Sequence, residues 1–546
     1  MNFLKTCHKL QIILCFCSIE FEKISQNEHF LIVLADFLGG FQYCFYICTH
    51  IIYIYTRMAY SNIIGREPEI ETLEKAYKSR KSEFVAIYGR RRVGKSYLVS
   101  EVFRGKICFK AVGTFIKLKE KEEQAKSVAS YRQLQLDHFF DALVDAGLPS
   151  DVKQPTSWRE AFNLLRQVLK GLKSRRKVVF LDELPWLAGP QSSELISELG
   201  YFWNSWADQE RNIVLIVCGS ATSWMLDNVI SDYGGLHGRL THQIRLKPFT
   251  LGECAKYYKK NGFHLSQYEM AVGYMALGGV PYYMDKLDSS KTMTANLEDI
   301  FFKDERIDQE FREVYTGLYA TYERYIDIVK VLGSQFYGMT RKELLDATGL
   351  EGGGTFSKIM ENLQECGIVR QYPRYGKERV EKVYQLKDFF SLFYLHFIQN
   401  RKADAGSWSS IQHSSPFYSW AGITFELLVL EHQAQLKDAL NIATISRDYC
   451  WKGTAPDGTG AQIDLVLEWD GERTDYLCEI KFTENRFVVD KGYKMDLLNK
   501  IDAFMSSRQH DKTHSIQLVM ITTQGVARGE HTSCINQYVE LEQLFK

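Results

Sequence analysis

Phe84-Val85-Ala86-Ile87-Tyr88-Gly89-Arg90-Arg91-Arg92-Val93-Gly94-Lys95-Ser96 is the stretch on which the fold turns. Phe84–Tyr88 reads as a short buried strand that runs straight into GxxxxGKS, and Tyr97–Phe103 then reads as a helix. That order is what a phosphate-cradling loop requires. Gly89 and Gly94 let the backbone curl, so that the loop amides, those of Arg90, Arg91, Arg92 and Val93 included, surround an anion. The helix N-terminus adds positive potential, Lys95 reaches the outer phosphates, and Ser96 offers a hydroxyl to Mg²⁺. A glycine turn with an accidental Lys-Ser is the alternative.

Downstream, Lys177-Val-Val-Phe-Leu-Asp182-Glu183 is an apolar strand that ends on two acids. Asp182 is placed to complete a Mg²⁺ shell, and Glu183 to polarise the water that attacks a γ-phosphate. A solvated turn after a core strand is the plainer reading. Asn212–Cys218 is a third buried strand, and the Ser220 hydroxyl after it is placed for the γ-phosphate or the attacking water. Gln243–Lys247 is a fourth, after Gly238-Arg239. Helical stretches at Trp158–Leu172 and Leu195–Ala207 alternate with the strands, which predicts βαβ units and an α/β fold on a parallel sheet. Ligands of such sheets lie at the carboxyl ends of the strands, where the loop, Asp182, Glu183 and Ser220 converge.

Ile64-Gly65-Arg66-Glu67 with Glu69, Ile70 and Leu73, the GRRRVGKS loop, FLDELPWL, CGSATSWM, Gly238-Arg239 and Gly278-Gly-Val-Pro-Tyr282 together resemble the archaeal-type AAA+ ATPases also common in anaerobic bacteria. The resemblance runs over residues 60–546. It implies ATP and Mg²⁺ as cofactors, Gly65 and Arg66 near the adenine, a helical lid over 250–315, and Ser220 as the sensor residue. It also implies Arg239 as a phosphate-sensing arginine, against the reading of a surface salt-bridge residue.

Tyr322–Leu332 has helical periodicity, and Thr340-Arg-Lys-Glu343 opens a second helix with a capping-box pattern. Thr355–Glu365 makes a third after Gly352-Gly-Gly354, and two alternating runs around Pro373-Arg-Tyr-Gly376 read as a hairpin. Three helices and a hairpin predict a winged helix, which the resemblance also implies here. Thr355–Lys358 would then enter a DNA major groove, with Arg374, Lys377 and Arg379 on phosphates. The acids Glu361, Glu378 and Glu381 equally suit a protein-docking or spacer module.

Trp420–Glu426 begins an amphipathic helix, Gly460–Leu467 reads as a strand centred on Asp464, and Tyr476–Phe482 as the next. Residues two apart on a strand share a face, so Glu479 and Lys481 point one way while Cys478, Ile480 and Phe482 enter the core. A carboxylate inside an apolar strand is costly without a metal or a partner. Asp464 and Glu479 are candidate Mg²⁺ ligands, Lys481 would aim the water, and Glu426 completes the set. This E…D…ExK order resembles the PD-(D/E)XK nuclease superfamily. Gln462-Ile-Asp-Leu-Val and Cys478-Glu-Ile-Lys-Phe are closer still to the carboxyl-terminal domain that accompanies these ATPases. An ion-pair network is the other reading.

Composition bounds the rest. The 546 residues suit three to four domains, and 45% apolar with 25% charged is ordinary soluble composition. Basic and acidic residues, 67 of each, cancel, which excludes a uniformly basic nucleic-acid binder but not local basic grooves. Twelve cysteines without a CxxC pair exclude a disulfide framework and a zinc site. Phe30–Tyr55 is fully charged only at Asp36 and long enough to cross a bilayer, although Asp36, His50 and Gly39-Gly40 interrupt it. Composition changes abruptly at Met58, so 1–57 reads as a mis-assigned or unstructured start, with an anchor as the alternative. The expected parts are an ATPase core over 58–249, the lid over 250–315, the winged helix over 316–400 and a nuclease-like domain over 401–546. The expected function is cytoplasmic ATP hydrolysis coupled to DNA engagement, with a metal-dependent nuclease tail. Self-association stays open, and no membrane partner is expected. The rival is a nucleotide-dependent regulatory switch whose tail does no catalysis.

Overall fold

Short runs that are apolar on both faces need cover above and below, which is the signature of a parallel sheet between helices. In the computed structural model β1 (Glu83–Tyr88), β3 (Lys177–Asp182) and β4 (Ile213–Gly219) are such runs, and the more exposed β2 (Ile107–Val112) and β5 (His242–Arg245) flank them. They pair in parallel throughout, in the order β2-β3-β4-β1-β5. This is the predicted α/β sheet. The edge strand β2 escaped the sequence reading because exposed Lys110 and Val112 interrupt its burial. With β4 between β1 and β3, the loop after β1, the acids after β3 and Ser220 after β4 open on one edge.

The structure describes residues 60–546 apart from 116–123, 190–192, 231–235, 237, 317–321, 374–381, 400, 402–405, 443–445, 456–457 and 508–510. The leader at 1–57 and the hairpin cations Arg374, Lys377 and Arg379 therefore lie outside the described residues. Among the described residues no helix is long and apolar enough to cross a membrane.

Thr250 and Ser266 open the helices Leu251–Lys260 and Gln267–Leu277, each with a complete capping box. The middle segment holds helices Tyr322–Gly333, Arg341–Thr348 and Gly354–Glu365. With them is an antiparallel sheet of β6 (Met339–Thr340), β7 (Val369–Pro373) and β8 (Lys382–Leu386), in the order β6-β8-β7. The tail sheet runs β13-β12-β11-β10-β9. Its strands are β9 (Arg447–Thr454), β10 (Gly460–Trp469), β11 (Thr474–Lys481), β12 (Ser515–Thr522) and β13 (Gln537–Glu540). β9, β10 and β11 are antiparallel, whereas β12 and β13 join in parallel. Helix Ser415–Glu431 shares a core with one face of this sheet, through Cys478 and Ile480. Helix Lys491–Ser506 shares another core with the opposite face, through Leu477 and Met520.

One hydrophobic core runs from Phe249 to Leu544, through the helices that follow residue 250, the middle segment and the tail. Residues 64–546 form one compact unit accordingly. Helix Phe389–Phe397 stands in that core, with Phe390 stacked on Tyr283 at 4.5 Å and Phe393 at 4.2 Å from Phe301. Asp388 caps this helix, accepting from the Ser391 amide at 3.0 Å and the Ser391 hydroxyl at 2.6 Å. Its other oxygen takes Arg90 of the phosphate loop at 2.5 Å, and Asp388 is only 1% exposed. Stripping one partner from a buried pair strands the other charge, at a cost of about 3–5 kcal/mol. Asp388→Ala should lower the unfolding free energy by about that amount, read from urea denaturation. A wild-type midpoint would contradict the pairing.

Candidate active site

Two glycines shape the loop. A Cβ at Gly89 would run into the carbonyl oxygen of Leu246, and Gly94, at φ 92°, makes the left-handed step into helix Lys95–Val102. Buried Val93 pins the loop to the core. Lys95, 4% exposed, turns back on the loop and donates to the carbonyl oxygens of Gly89 and Arg90, at 2.9 Å each. Ser96 Oγ donates to Asp182 Oδ1 at 2.9 Å. Glu183 sits at φ 49°, an uncommon backbone state outside glycine. Its Oε2 accepts from the Ser220 amide at 3.1 Å and from the Ser220 hydroxyl at 2.8 Å. The structure thus brings Lys95, Ser96, Asp182, Glu183 and Ser220 together at the carboxyl ends of β1, β3 and β4. Ser220 holds the glutamate, a contact that sequence reading missed.

The three loop arginines serve the rest of the chain. Arg90 pairs with Asp388, and Arg91 Nη1 donates to the Glu313 carbonyl oxygen at 3.1 Å. Arg92 pairs with Glu310, lies 2.9 Å from Glu313 and covers the Tyr282 ring at 4.3 Å. Their side chains bind helix Ile307–Thr316 and the start of helix Phe389–Phe397, which leaves the backbone amides to face an anion. A gap of about 10 Å³ remains among the arginines, Ser220, Tyr283 and Ile368, room for about one water. A cleft of about 490 Å³ shares Arg90 and Cys366 with it, and is walled by Arg66, Gly89, Phe249 and Gly278. That volume suits a small-molecule site. Gly65, at φ 62°, leads into Arg66, whose Nη2 donates to the Lys247 carbonyl oxygen at 2.7 Å. The Arg66 guanidinium lies 4.7 Å over the Phe249 ring. Arg239 is exposed in the turn before β5, apart from the bonded groups at the loop.

In the middle segment, Lys358 pairs with Asp227 at 2.6 Å and with Glu361 at 3.0 Å. Helix Gly354–Glu365 packs against Thr222–Met225, which follows β4 of the parallel sheet. The helix read from sequence as the one entering a groove is docked on the core in this state.

In the tail, Glu479 is 2% exposed and fully engaged. Its Oε1 accepts from Lys481 Nζ at 2.8 Å and from the Tyr493 hydroxyl at 2.9 Å, and its Oε2 from Lys500 Nζ at 2.6 Å. Burial pushes this carboxyl up, but the two lysines prevail and hold it below the usual range. Asp464 lies where β10 slips register against β9 between Ile463 and Val466, and it accepts the Ile480 amide at 3.0 Å. Burial and the Glu479 charge push Asp464 up to about 6. Burial and Asp464 push Glu426, on helix Ser415–Glu431, up to about 8. Glu426, Asp464, Glu479 and Lys481 are thus one electrostatic group. Lys500 and Tyr493 were missed in the sequence, where their only signal is a two-turn spacing on one helix. Elsewhere in this sheet Glu468, Asp475 and His514 bring ligand atoms within 4.8 Å of one another. Arg447, 3.2 Å from Glu468, balances that cluster.

Residues 63–287 match the protein family described as an ATPase domain predominantly from Archaea. These residues are similar to an archaeal-type ATPase domain. An uncharacterized protein of Methanocaldococcus jannaschii is 25% identical over 449 residues, 80% of this chain and 91% of its own. Among solved structures, the Walker-type ATPase of Pyrococcus abyssi is similar at 20% identity and a TM-score of 0.41, over 62% of this chain and 97% of its own. The ORC2 protein of Aeropyrum pernix, solved with ADPNP and ADP, is similar at 12% identity and a TM-score of 0.37, over 62% and 96%.

The carboxyls of the tail carry a pH signature. Both folded values lie above the ordinary ones, so their contribution to stability is whole in acid and fades as pH rises through about 6 for Asp464 and about 8 for Glu426. Glu426→Gln should therefore gain melting temperature relative to wild type between about pH 5 and about pH 8, in the presence of a chelator. Parallel curves across that window would show that Glu426 titrates normally.

Proposed function

We propose that the chain binds and hydrolyses ATP, and couples that cycle to DNA engagement and to a metal-dependent nuclease site in the tail. The observation that carries the first part is the paired contact set Ser96–Asp182 and Glu183–Ser220 beside Lys95. Loop amides and Lys95 bind the β- and γ-phosphates, with Lys95 giving up its hold on the Gly89 and Arg90 carbonyl oxygens. Ser96 and Asp182 are adjacent hard oxygen donors that fit Mg²⁺. Bound there, the ion would neutralise charge on the transferred phosphoryl group. Glu183, released from Ser220, orients a water and accepts its proton. Arg66 and Phe249 wall the cleft proposed for the adenosine.

In the tail, Glu426 and Asp464 are two half-buried carboxyls whose mutual repulsion Lys481 offsets only in part, and such a donor set fits a hard divalent ion. Lys481 is placed to steady negative charge at a phosphodiester. One observation favours the rival reading of a non-catalytic tail: both oxygens of Glu479 are already taken by Lys481, Lys500 and Tyr493. Supercoiled DNA with Mn²⁺, with and without ATP, separates the two readings. Nicking that Asp464→Asn abolishes supports the nuclease, and intact DNA in every nucleotide state supports the switch.

For the ATPase, Lys95→Ala should weaken ATP binding by about 10- to 100-fold, the weight of lost charge-assisted hydrogen bonds. Glu183→Gln should keep ATP binding while turnover falls by about 100- to 10,000-fold. Fluorescent-nucleotide titration and phosphate release measure the two effects. Wild-type turnover in both variants would overturn the assignment.

A further inference from the structure

The helices that feed β1 to β4 all end at the amino edge of the parallel sheet, opposite the phosphate loop. Strand pairing sets Ile107 beside Val178, Lys177 beside Ile213 and Val214 beside Glu83. The chain just ahead of β2, β3, β4 and β1 therefore forms one row in that order, about 15 Å long at about 4.8 Å per strand. Arg176 binds the row together. Its Nη1 donates to the carbonyl oxygens of Lys81 at 2.7 Å and Arg211 at 3.2 Å, and its Nη2 to that of Ala76 at 2.6 Å. Segments 78–81, 104–106, 173–177 and 208–212 of this row carry ten cations against two acids, in a chain whose basic and acidic residues cancel. Lys78 and Arg104 are paired with Glu74 and Glu101, and Lys81 lies 3.9 Å from buried Glu83. Arg80, Lys173 and Arg175 are exposed, and none of the three forms an ion pair among the described residues. Helix C-termini attract cations, but that attraction fades beyond the last turn. Arg80, Lys81, Lys173 and Arg175 lie past the ends of helices Glu67–Lys78 and Trp158–Gly171, so helix dipoles do not account for them.

We propose that the amino edge of the parallel sheet is a sequence-independent binding surface for duplex nucleic acid, with Arg80, Lys81, Lys173 and Arg175 on the backbone phosphates. The four segments contain no apolar side chain, and the neighbouring Tyr77 ring is half-buried, with Lys106 Nζ 4.9 Å from its centre. A protein partner would call for aromatic or aliphatic anchors, and a bilayer surface for an apolar face. A single strand would call for exposed rings on which its bases stack. A duplex asks only for cations along its backbone, and the row spans about four base-pair steps of about 3.4 Å. The proposal rests on neither the ATPase nor the nuclease reading of the chain.

The test uses the full chain and fluorescent DNA duplexes of two unrelated sequences, titrated between about 0.05 and about 0.3 M salt with a chelator present. Both duplexes should bind alike. Arg80→Gln, Lys81→Gln, Lys173→Gln and Arg175→Gln together should make the slope of log affinity against log salt shallower by about 3 to 4, nearly one for each lost phosphate contact. Bound duplex should also shield Lys81 and Lys173 of the unaltered protein from acetylation, a readout that needs no variant. An unchanged salt slope, or equal acetylation with and without duplex, would overturn the proposal. So would a variant that keeps its hold on duplex but loses phosphatidylserine vesicles, which would make the edge a membrane surface. ATP binding by the variant should equal wild type, so that failure of the ATPase reading shows at Lys95→Ala and not here.

Discussion

The ion pair between Arg90 and Asp388 is the constraint around which the molecule is arranged. It is buried, and almost 300 residues of chain separate its ends, with |i−j| of 298. A buried pair adds little net stability compared with a packed apolar contact, because both ions give up their hydration. Its value is that almost no other arrangement satisfies both charges. Asp388 must also cap helix Phe389–Phe397, so the register of that helix and the position of the phosphate loop are fixed by one carboxylate. Glu310 and Glu313 repeat the device on Arg92.

That arrangement would let a bound nucleotide bear on the middle segment. The loop arginines fill the space over the loop with contacts to helix Ile307–Thr316, and Cys366 and Ile368 of the middle segment close the same gap. A polyphosphate arriving at the amides brings negative charge to the guanidinium groups that Glu310, Glu313 and Asp388 now neutralise. Each ion pair weakens or re-forms according to which anion is better placed, and a ligand shifts an equilibrium only through such a differential contact. The middle segment touches both regions: Asp388 begins its last helix at the loop, and β7 stands against β9 of the tail.

What could be read from the sequence was local. The phosphate loop, the acids after β3 and the Glu479-Ile-Lys481 strand each state their chemistry within a few residues, through strand alternation and a glycine-set turn. Asp464 was legible as an acid inside an apolar run, whereas the register slip beside it was not, because a bulge depends on the partner strand. Lys500 and Tyr493 looked like solvated residues of an ordinary helix until β11 supplied the buried carboxylate beneath them. The arginines of the loop were read by proximity to the motif as nucleotide groups, while their side-chain partners lie some 200 to 300 residues away. Lys358 likewise was read as part of a groove-entering helix, whereas the fold places Asp227 beside it. Charge says what a residue wants, and only tertiary structure says which partner reaches it first.

The tail shows the same rule at the scale of one site. Three carboxyls meet two lysines, and the lysines do not share themselves evenly. Both lysines contact Glu479, which is held below the usual carboxylate range, while Asp464 and Glu426, only partly offset by Lys481 and Arg370, repel each other and hold their protons more tightly. A pure ion-pair network would lower its energy by spreading the cations, since every uncompensated buried carboxyl carries a desolvation cost. Protonation is one way to relieve that repulsion, and a divalent cation at Asp464 and Glu426 is the other, exchanging the held protons for charge that bridges both acids. Lys481 can then turn from Glu479 toward an incoming phosphate without stranding it, because Lys500 and Tyr493 remain in place. On the proposed reading, the redundancy at Glu479 would free a lysine for chemistry, and the imbalance at Asp464 and Glu426 would leave room for a divalent cation.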